Sequence, residues 1–335
     1  MRRFFEPLCD CCNGGFTMAE ADPRAAARPD AMSEADLQGL FDKVSNWGRW
    51  GPDDERGALN HITGAEVVRA AGLIREGRTV SLSRNFPTQP GPENPWPAQH
   101  HMVIAGDDPC VPGLDGLQTV TDYIGIAFHG MASSHIDALC HVFAKGAMYN
   151  GRPGTEVKST GARANTIMAL KDGVVGRGVL LDLPRALNVP YVEADRFVTA
   201  ADLETAERAA GVVVGKGDIL IVRFGRDPRR AIKTDQLVAG MHPRVCEWLH
   251  ARQVAVLGGD GVSDPIPPGQ LHRDWAMPIH AIALAGMGLH LLDNLDLEPL
   301  AETCQALGRW EFQLALAPLR IEGGTGSPLN PIAVF

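Results

Sequence analysis

Three short apolar runs, GVLLDL at 178–183, DILIVRFG at 218–225 and VAVLGGDGV at 254–262, are rich in β-branched residues and bounded by glycine. Runs of this length without polar alternation read as strands covered on both faces, the pattern of a parallel sheet. Between them, TAADLETAERAAG opens with Thr199 and Asp202 in capping-box spacing and ends at Gly211, and HPRVCEWLHAR reads as another helix. A helix near 297–307 and the strand EFQLALAPLRI at 311–321 extend the alternation. A chain built this way is an α/β protein.

Upstream, SEADLQGLFDKV reads as a short helix and GAEVVRAAGLIREG at 64–77 as a second, closed by Gly77, with the loop WGRWGPDDERGALN between them. Residues 85–120 hold much of the proline and glycine, and HHMVIAG is their longest apolar run. A loop this long inside a compact domain is usually functional, so this segment is a candidate lid or wall, and His100 and His101 could face a site. Residues 1–33 are rich in Ala, Pro, Arg and Asp without a hydrophobic period. We expect a disordered leader there, with Met18 a candidate native start, and a single domain over 34–335.

Hydrophobic residues make up 45% of the 335 and charged residues 21%, enough apolar material for a substantial core. The net charge of −9 argues against a nucleic-acid or anionic-membrane surface, which would repel such a chain. The dense basic run RFGRDPRR at 223–230 is short and interrupted by Asp227, and it reads as a solvated loop. No stretch approaches the ~18 apolar residues that span a bilayer. The start MRRFFEPLCDCC meets acids and cysteines before an apolar core can develop, unlike a secretory signal. Seven cysteines (Cys9, Cys11, Cys12, Cys110, Cys140, Cys246 and Cys304) lack the paired spacings of a disulfide scaffold, which suits a reducing compartment, the cytoplasm. The Cys9, Cys11, Cys12 cluster has no downstream partner pair and reads as part of a mobile tail. Neither GxxxxGK[ST] nor GxGxxG stands between a strand and a helix, so nothing asks for a nucleotide.

The chemistry concentrates in HGMASSHIDALCH, residues 129–141. On an extended strand His135 and Asp137 point to one face ~7 Å apart, close enough to converge on one ion. Asp137 and His141 are four apart and stack on a helical turn, so a strand bending into a helix at Asp137 gathers all three. Imidazole and carboxylate without thiolate suit Zn²⁺, Mn²⁺ or Fe²⁺, and three protein ligands leave a position open. The alternative is a polar strand end whose histidines are only hydrogen-bonded. Small neighbours (Gly130, Ala132, Ser133, Ser134, Ala138) let backbone and substrate approach closely, and Cys140 falls between ligand positions.

SSHIDALCH resembles the signature H-x-G-T-H-x-D-x-P-x-H of the cyclase family, which includes bacterial kynurenine formamidase, isatin hydrolase and related lactone hydrolases. The match holds at His135, Asp137 and His141. The family's first histidine would fall on Met131, and its proline on Leu139; His129 is the nearest imidazole and the candidate substitute. HAIALAGMGLHLLDNLDLEPLAE, from His280, is similar to the second signature, a helix with a histidine followed by a strand ending in E-N-L, here Asp293-Asn294-Leu295. The resemblance spans about residues 45–335, from WGPDDERGALNHIT to GGTGSPLNPIAVF.

The resemblance implies a swivelling β/β/α domain with a barrel-like mixed sheet flanked by helices, and subunits that associate as a dimer or tetramer. It implies a divalent metal, Zn²⁺ or Mn²⁺, and hydrolysis of an amide or lactone bond of a small molecule by metal-activated water. His135 and Asp137 are then primary ligands, with His129 the substitute first ligand. His141 and His280 are ligands of a second ion or proton shuttles, and Asp293 orients a histidine or joins the second ion. His101, Asp260 and Asp264 are candidate pocket residues; the two aspartates, beside glycine in GGDGVSD, equally suit ordinary turn chemistry. Trp47, Trp50 and Trp96 suit packing against a planar ring or anchoring their own loops. A metal-dependent lyase or cyclase, and a non-catalytic metabolite-binding member of the family, remain alternatives.

Overall fold

A nine-stranded mixed sheet, strongly curled into a half barrel, organises the protein. The computed structural model describes residues 31–108 and 116–335. The expected leader lies almost wholly outside the described residues, as do Cys9, Cys11, Cys12 and Cys110.

The described strands are β1 (Thr79–Ser81), β2 (Gln99–Ile104), β3 (Thr121–Gly125), β4 (His135–Asp137), β5 (Val157–Lys158), β6 (Gly161–Ala162), β7 (Val174–Asp182), β8 (Ile219–Arg223), β9 (Val256–Gly259), β10 (His290–Asp293), β11 (Glu311–Leu316), β12 (Gly326–Pro328) and β13 (Ile332–Val334). The α-helices are α1 (Glu34–Val44), α2 (Gly64–Ala71), α3 (Leu183–Leu187), α4 (Ala200–Ala210), α5 (Arg226–Ile232), α6 (Val245–Arg252), α7 (Pro278–His280) and α8 (Glu298–Leu307). The large sheet runs β1-β13-β11-β7-β8-β9-β10-β4-β12. Its middle four strands, β7 to β10, are parallel, and antiparallel strands flank them on both sides.

The three opening runs are β7, β8 and β9, and their burial follows from strand geometry. Successive side chains point to opposite faces. Val179, Leu181, Leu220, Val222 and Leu257 join one core cluster, while Leu180, Ile219, Ile221 and Val256 join another. Each fully buried side chain of this size contributes roughly 1.5–3 kcal/mol. Gly178 is needed for that packing, because a Cβ there would lie 2.3 Å from Phe312 Cε2.

Helix caps obey the sequence. Ser33, Thr63 and Thr199 each accept a backbone N–H of the first turn, and Asp36, Glu66 and Asp202 bond back to them, completing three capping boxes. The second helix is shorter than expected: it stops at Ala71, and Gly77 instead belongs to the turn that enters β1, donating its N–H to Phe335 O at 2.8 Å. The basic run is not a solvated loop. It forms the end of β8 and the helix α5, with Arg223, Arg226 and Arg229 buried. Carboxylates and carbonyls, most of them from distant segments, surround these guanidinium groups, a setting that local charge counting cannot reveal. Within 85–120 lies β2, which pairs with β3 just beyond that segment as an antiparallel ribbon outside the large sheet.

Candidate metal centre

β4 lies antiparallel between β10 and β12, and its register decides what meets. Asp293 pairs with His135 and Leu292 with Ile136. Leu292 and Ile136 both enter one core cluster, so Asp293, His135 and Asp137 share the other face. His135 and Asp137 thus converge as their spacing predicts. The chain then leaves the strand in a turn closed by His141 N–H to Ala138 O at 3.0 Å, so a turn rather than a helix returns His141 to Asp137.

Four imidazoles surround the Asp137 carboxylate. His129 Nδ1 lies 3.0 Å, His135 Nε2 3.4 Å and His141 Nε2 4.0 Å from Oδ1, and His280 Nε2 lies 3.6 Å from Oδ2. Neither carboxylate oxygen of Asp137 receives a hydrogen bond, and neither does Asp293 Oδ1, although all three are buried. Close approach without hydrogen-bond alignment is what donors aimed at a shared cation produce, and buried carboxylates without donors are otherwise costly. Two donor sets lie within 4.8 Å: His129, Asp137 and His141, and His135, Asp137 and Asp293. These residues fit a divalent cation.

Three of the four histidines are held from behind by a hydrogen-bond partner. His135 Nδ1 donates to Ser133 O at 2.9 Å, leaving Nε2 as the lone pair facing Asp137. His280 Nδ1 lies 2.7 Å from Asp264 Oδ2, and its Nε2 lies 3.3 Å from Asp293 Oδ2. Asp264 also accepts the backbone N–H groups of Ile279 and His280. Such a carboxylate fixes the tautomer and raises the basicity of the imidazole it holds. His129 Nε2 is 3.0 Å from Thr325 Oγ1, and its ring stacks on His141 with centroids 3.8 Å apart. Gly326 makes room for this, because a Cβ there would meet His129 Cε1 at 2.8 Å.

Electrostatics separates the groups. Burial works against a charge on Asp137, yet His141, His129 and His135 hold its pKa well below the carboxylate range. Burial opposes protonation of His135, but Asp137 and Asp293 outweigh it and raise its pKa. Burial likewise opposes protonation of His280, and Asp264 and Asp293 drive its pKa well above the usual value. Burial raises Asp293 despite His280. His141 goes the other way: burial, with repulsion from His129 and His280, lowers it to about 4 against the pull of Asp137. His141 is therefore a neutral imidazole at physiological pH. With side chains 26% and 29% exposed, His129 and His141 form the open rim, while His135, Asp137, His280 and Asp293 lie beneath.

The remaining candidates sit elsewhere. Asp260 is not a pocket residue; its carboxylate accepts the N–H groups of Phe224, Gly225 and Arg226, anchoring the turn into α5. Asp264 faces His280 rather than open space. His101 lies on the ribbon against Tyr123, 4.8 Å between centroids, and lines a cleft of about 910 Å³ with Trp96, His100 and Gly125 to Ala127. That wall runs directly into Phe128 and His129. Trp47 is an anchor, donating Nε1–H to Ala285 O at 2.6 Å, whereas Trp96 is 72% exposed in the cleft. His280 ends α7, where the chain passes into a π-helix, Ala281–Met287, a form frequent at functional sites.

The family described as "Putative cyclase" matches residues 79–264. The crystal structure of a novel cyclase superposes with a TM-score of 0.78 at 34% identity, covering 87% of this chain and 99% of that one. An isatin hydrolase bound to the product analogue thioisatinate gives 0.53 at 18% identity, with 81% and 95% covered. Isatin hydrolase A from Ralstonia solanacearum gives 0.51 at 20%, with 82% and 98% covered. No curated protein matches the chain. The half-barrel fold makes the chain an α/β protein of the kind these structures share, and this chain carries a histidine and aspartate cluster on its curled sheet. The chain belongs to the cyclase family.

Proposed function

We propose that the protein is a metal-dependent hydrolase that opens an amide or lactone bond, cyclic or linear, in a small molecule. The observation that carries this reading is the Asp137 carboxylate, buried without a hydrogen bond among four imidazoles and beside Asp293. His129, Asp137 and His141 would hold one divalent ion and His135, Asp137 and Asp293 a second position, with His280 reaching both acids. Nitrogen and oxygen donors suit Zn²⁺ or Mn²⁺. When bound, such an ion lowers the pKa of water and polarises a carbonyl.

The chain's own groups do the rest. Where a single ion sits on His135, Asp137 and Asp293, the neutral rim imidazole of His141 is not a ligand and would accept a proton during bond cleavage and return it to the leaving atom. His280 stays oriented by Asp264 and Asp293. The reaction class rests on the resemblance of the two motifs to hydrolase signatures; the named isatin hydrolases share the fold. The exposed β2–β3 ribbon supports a homo-oligomer.

The test is metal content per chain in protein purified without chelator, beside the His135→Ala, Asp137→Ala double variant. About one or two equivalents in the wild type and none in the variant are expected. Lactones and amides then follow in water enriched in ¹⁸O. Label in the product supports hydrolysis, and unlabelled product made by elimination points to a lyase. No metal in either protein sinks the hydrolase reading.

A further inference from the structure

Arg226, at the start of α5, is 4% exposed, and its guanidinium touches four separate segments. Nη1 donates to Asn294 Oδ1 at 2.7 Å and to Asp260 O at 3.2 Å. Nη2 donates to Met131 O at 2.9 Å and pairs with Glu93 Oε2 at 3.0 Å. Two of these partners belong to the metal centre's frame. Met131 stands between His129 and His135, where the family pattern has its first histidine. Asn294 follows Asp293 directly, in the left-handed conformation with φ 57°.

Asn294 passes the contact on. Its Nδ2 donates to Gly130 O and Ser133 O, and its carbonyl accepts Ser134 Oγ at 2.8 Å and Arg84 Nε at 3.0 Å. Its N–H donates to Gly261 O at 2.9 Å. One guanidinium and one amide together hold the carbonyls of residues 130, 131 and 133. The segment between His129 and His135 has no regular secondary structure, so these bonds hold its backbone, while Thr325 and the stack on His141 hold the His129 ring.

Glu93 comes from the opposite direction. Residues 87–98 close on themselves through Ala98 N–H to Pro87 O at 3.0 Å and Asn94 Nδ2 to Pro87 O and Gln89 O. This loop supplies Pro95, Trp96 and Pro97 to the wall of the large cleft. Its acid, Glu93, pairs with both Arg226 and Arg230 at 3.0 Å. The planar fork of arginine suits this multiple bonding, and the point charge of lysine does not.

We propose that Arg226 is a positioning residue that ties the 87–98 wall of the cleft to the segment carrying His129 and His135, so that the substrate wall and the metal centre are set together. The metal arm of this proposal rests on the function proposed above. The experiment compares wild type, Arg226→Lys and Glu93→Gln by chelator competition for Zn²⁺ and by amide hydrogen exchange.

Arg226→Lys should weaken metal binding ten- to a hundredfold, the range for lost support behind a ligand. It should also speed exchange in 129–135 and 87–98, with β8 and β9 protected as in wild type. Glu93→Gln should speed exchange in 87–98 and leave metal affinity within about threefold, since it spares Met131 and Asn294. Should Arg226→Lys fail to fold, Asn294→Gly keeps the left-handed backbone, removes the amide, and should show the same loss of affinity. Wild-type affinity in the folded variants, with exchange changed only within α5, overturns the proposal. No Zn²⁺ bound by wild type would defeat the metal reading, and the exchange measurements would still decide the role of Arg226.

Discussion

The Asp264 carboxylate meets His280 Nδ1 at 2.7 Å, and on the far side of the ring Nε2 faces Asp293 and Asp137 at 3.3 and 3.6 Å. Aspartate thus fixes which nitrogen carries the proton. Asp264→Asn presents an amide that can donate where the wild type only accepts, so the imidazole loses its enforced tautomer. Metal affinity should fall ten- to a hundredfold. Chelator competition reads this directly, and unchanged affinity would mean that His280 lies outside the metal's reach.

His129 stands in for a histidine that the family pattern places at 131. Its Nδ1 approaches Asp137 Oδ1 at 3.0 Å while Thr325 holds its other nitrogen. His129→Ala should lose about tenfold or more in affinity for one metal equivalent and spare the other, because the donor set of His135, Asp137 and Asp293 shares Asp137 but does not include His129. Adding Met131→His to that variant should restore part of the loss. Metal titration followed by isothermal calorimetry distinguishes one site lost from both, and loss of neither removes His129 from the centre.

Two histidines outside that cluster make stability depend on pH. His290 is fully buried with no hydrogen bond at either ring nitrogen, and burial lowers its pKa to about 3. His61 is buried against Trp50, and burial followed by Arg49 lowers it to about 4. Above about pH 6.5 both are neutral folded or unfolded, and neither biases folding. Below it the unfolded chain takes up protons that the folded chain refuses, so stability falls as pH drops towards 4. Each group costs up to about 1.4 kcal/mol per pH unit in that window. Urea unfolding with chelator present, from pH 7 to 5, should show this slope, and His290→Gln should reduce it by about one proton. An unchanged slope would place the proton uptake elsewhere.

Some of this was legible in the sequence and some could not be. A strand displays alternate residues on one face, so His135 and Asp137 announced themselves by spacing alone. The buried runs of β7, β8 and β9 did the same for the middle of the sheet. His280 and Asp293 lie over 140 residues from His135; the antiparallel register of β4 on β10 brings in Asp293, and the end of α7, held by Asp264, brings in His280, so resemblance pointed to them where spacing could not. Asp264 and Asp260 sit in one GGDGVSD stretch, yet one orients His280 and the other anchors α5. Acid beside glycine looks alike in both. The contacts of Arg226 and Asn294 gave no local signal, because their partners are Glu93, Gly130 and Met131, and nothing in periodicity reports a contact between loops.

The β2–β3 ribbon supplies the last prediction. A strand in a stable sheet buries at least one face, and an isolated two-stranded ribbon is marginal in water. Here Met102, Val103, Tyr123 and Ile124 are 42–59% exposed, and alternation along β2 and β3 puts them on both faces. In the proposed homo-oligomer another copy of the chain covers these apolar residues. Ile124→Asp, or Val103→Asp, should therefore shift the protein from oligomer to monomer in sedimentation velocity. Because the same ribbon carries His100 and His101 into the cleft, the monomer should keep its metal and raise KM more than it lowers kcat. A wild-type monomer would refute the oligomer, and metal loss in the folded variant would tie the ribbon to the metal centre itself.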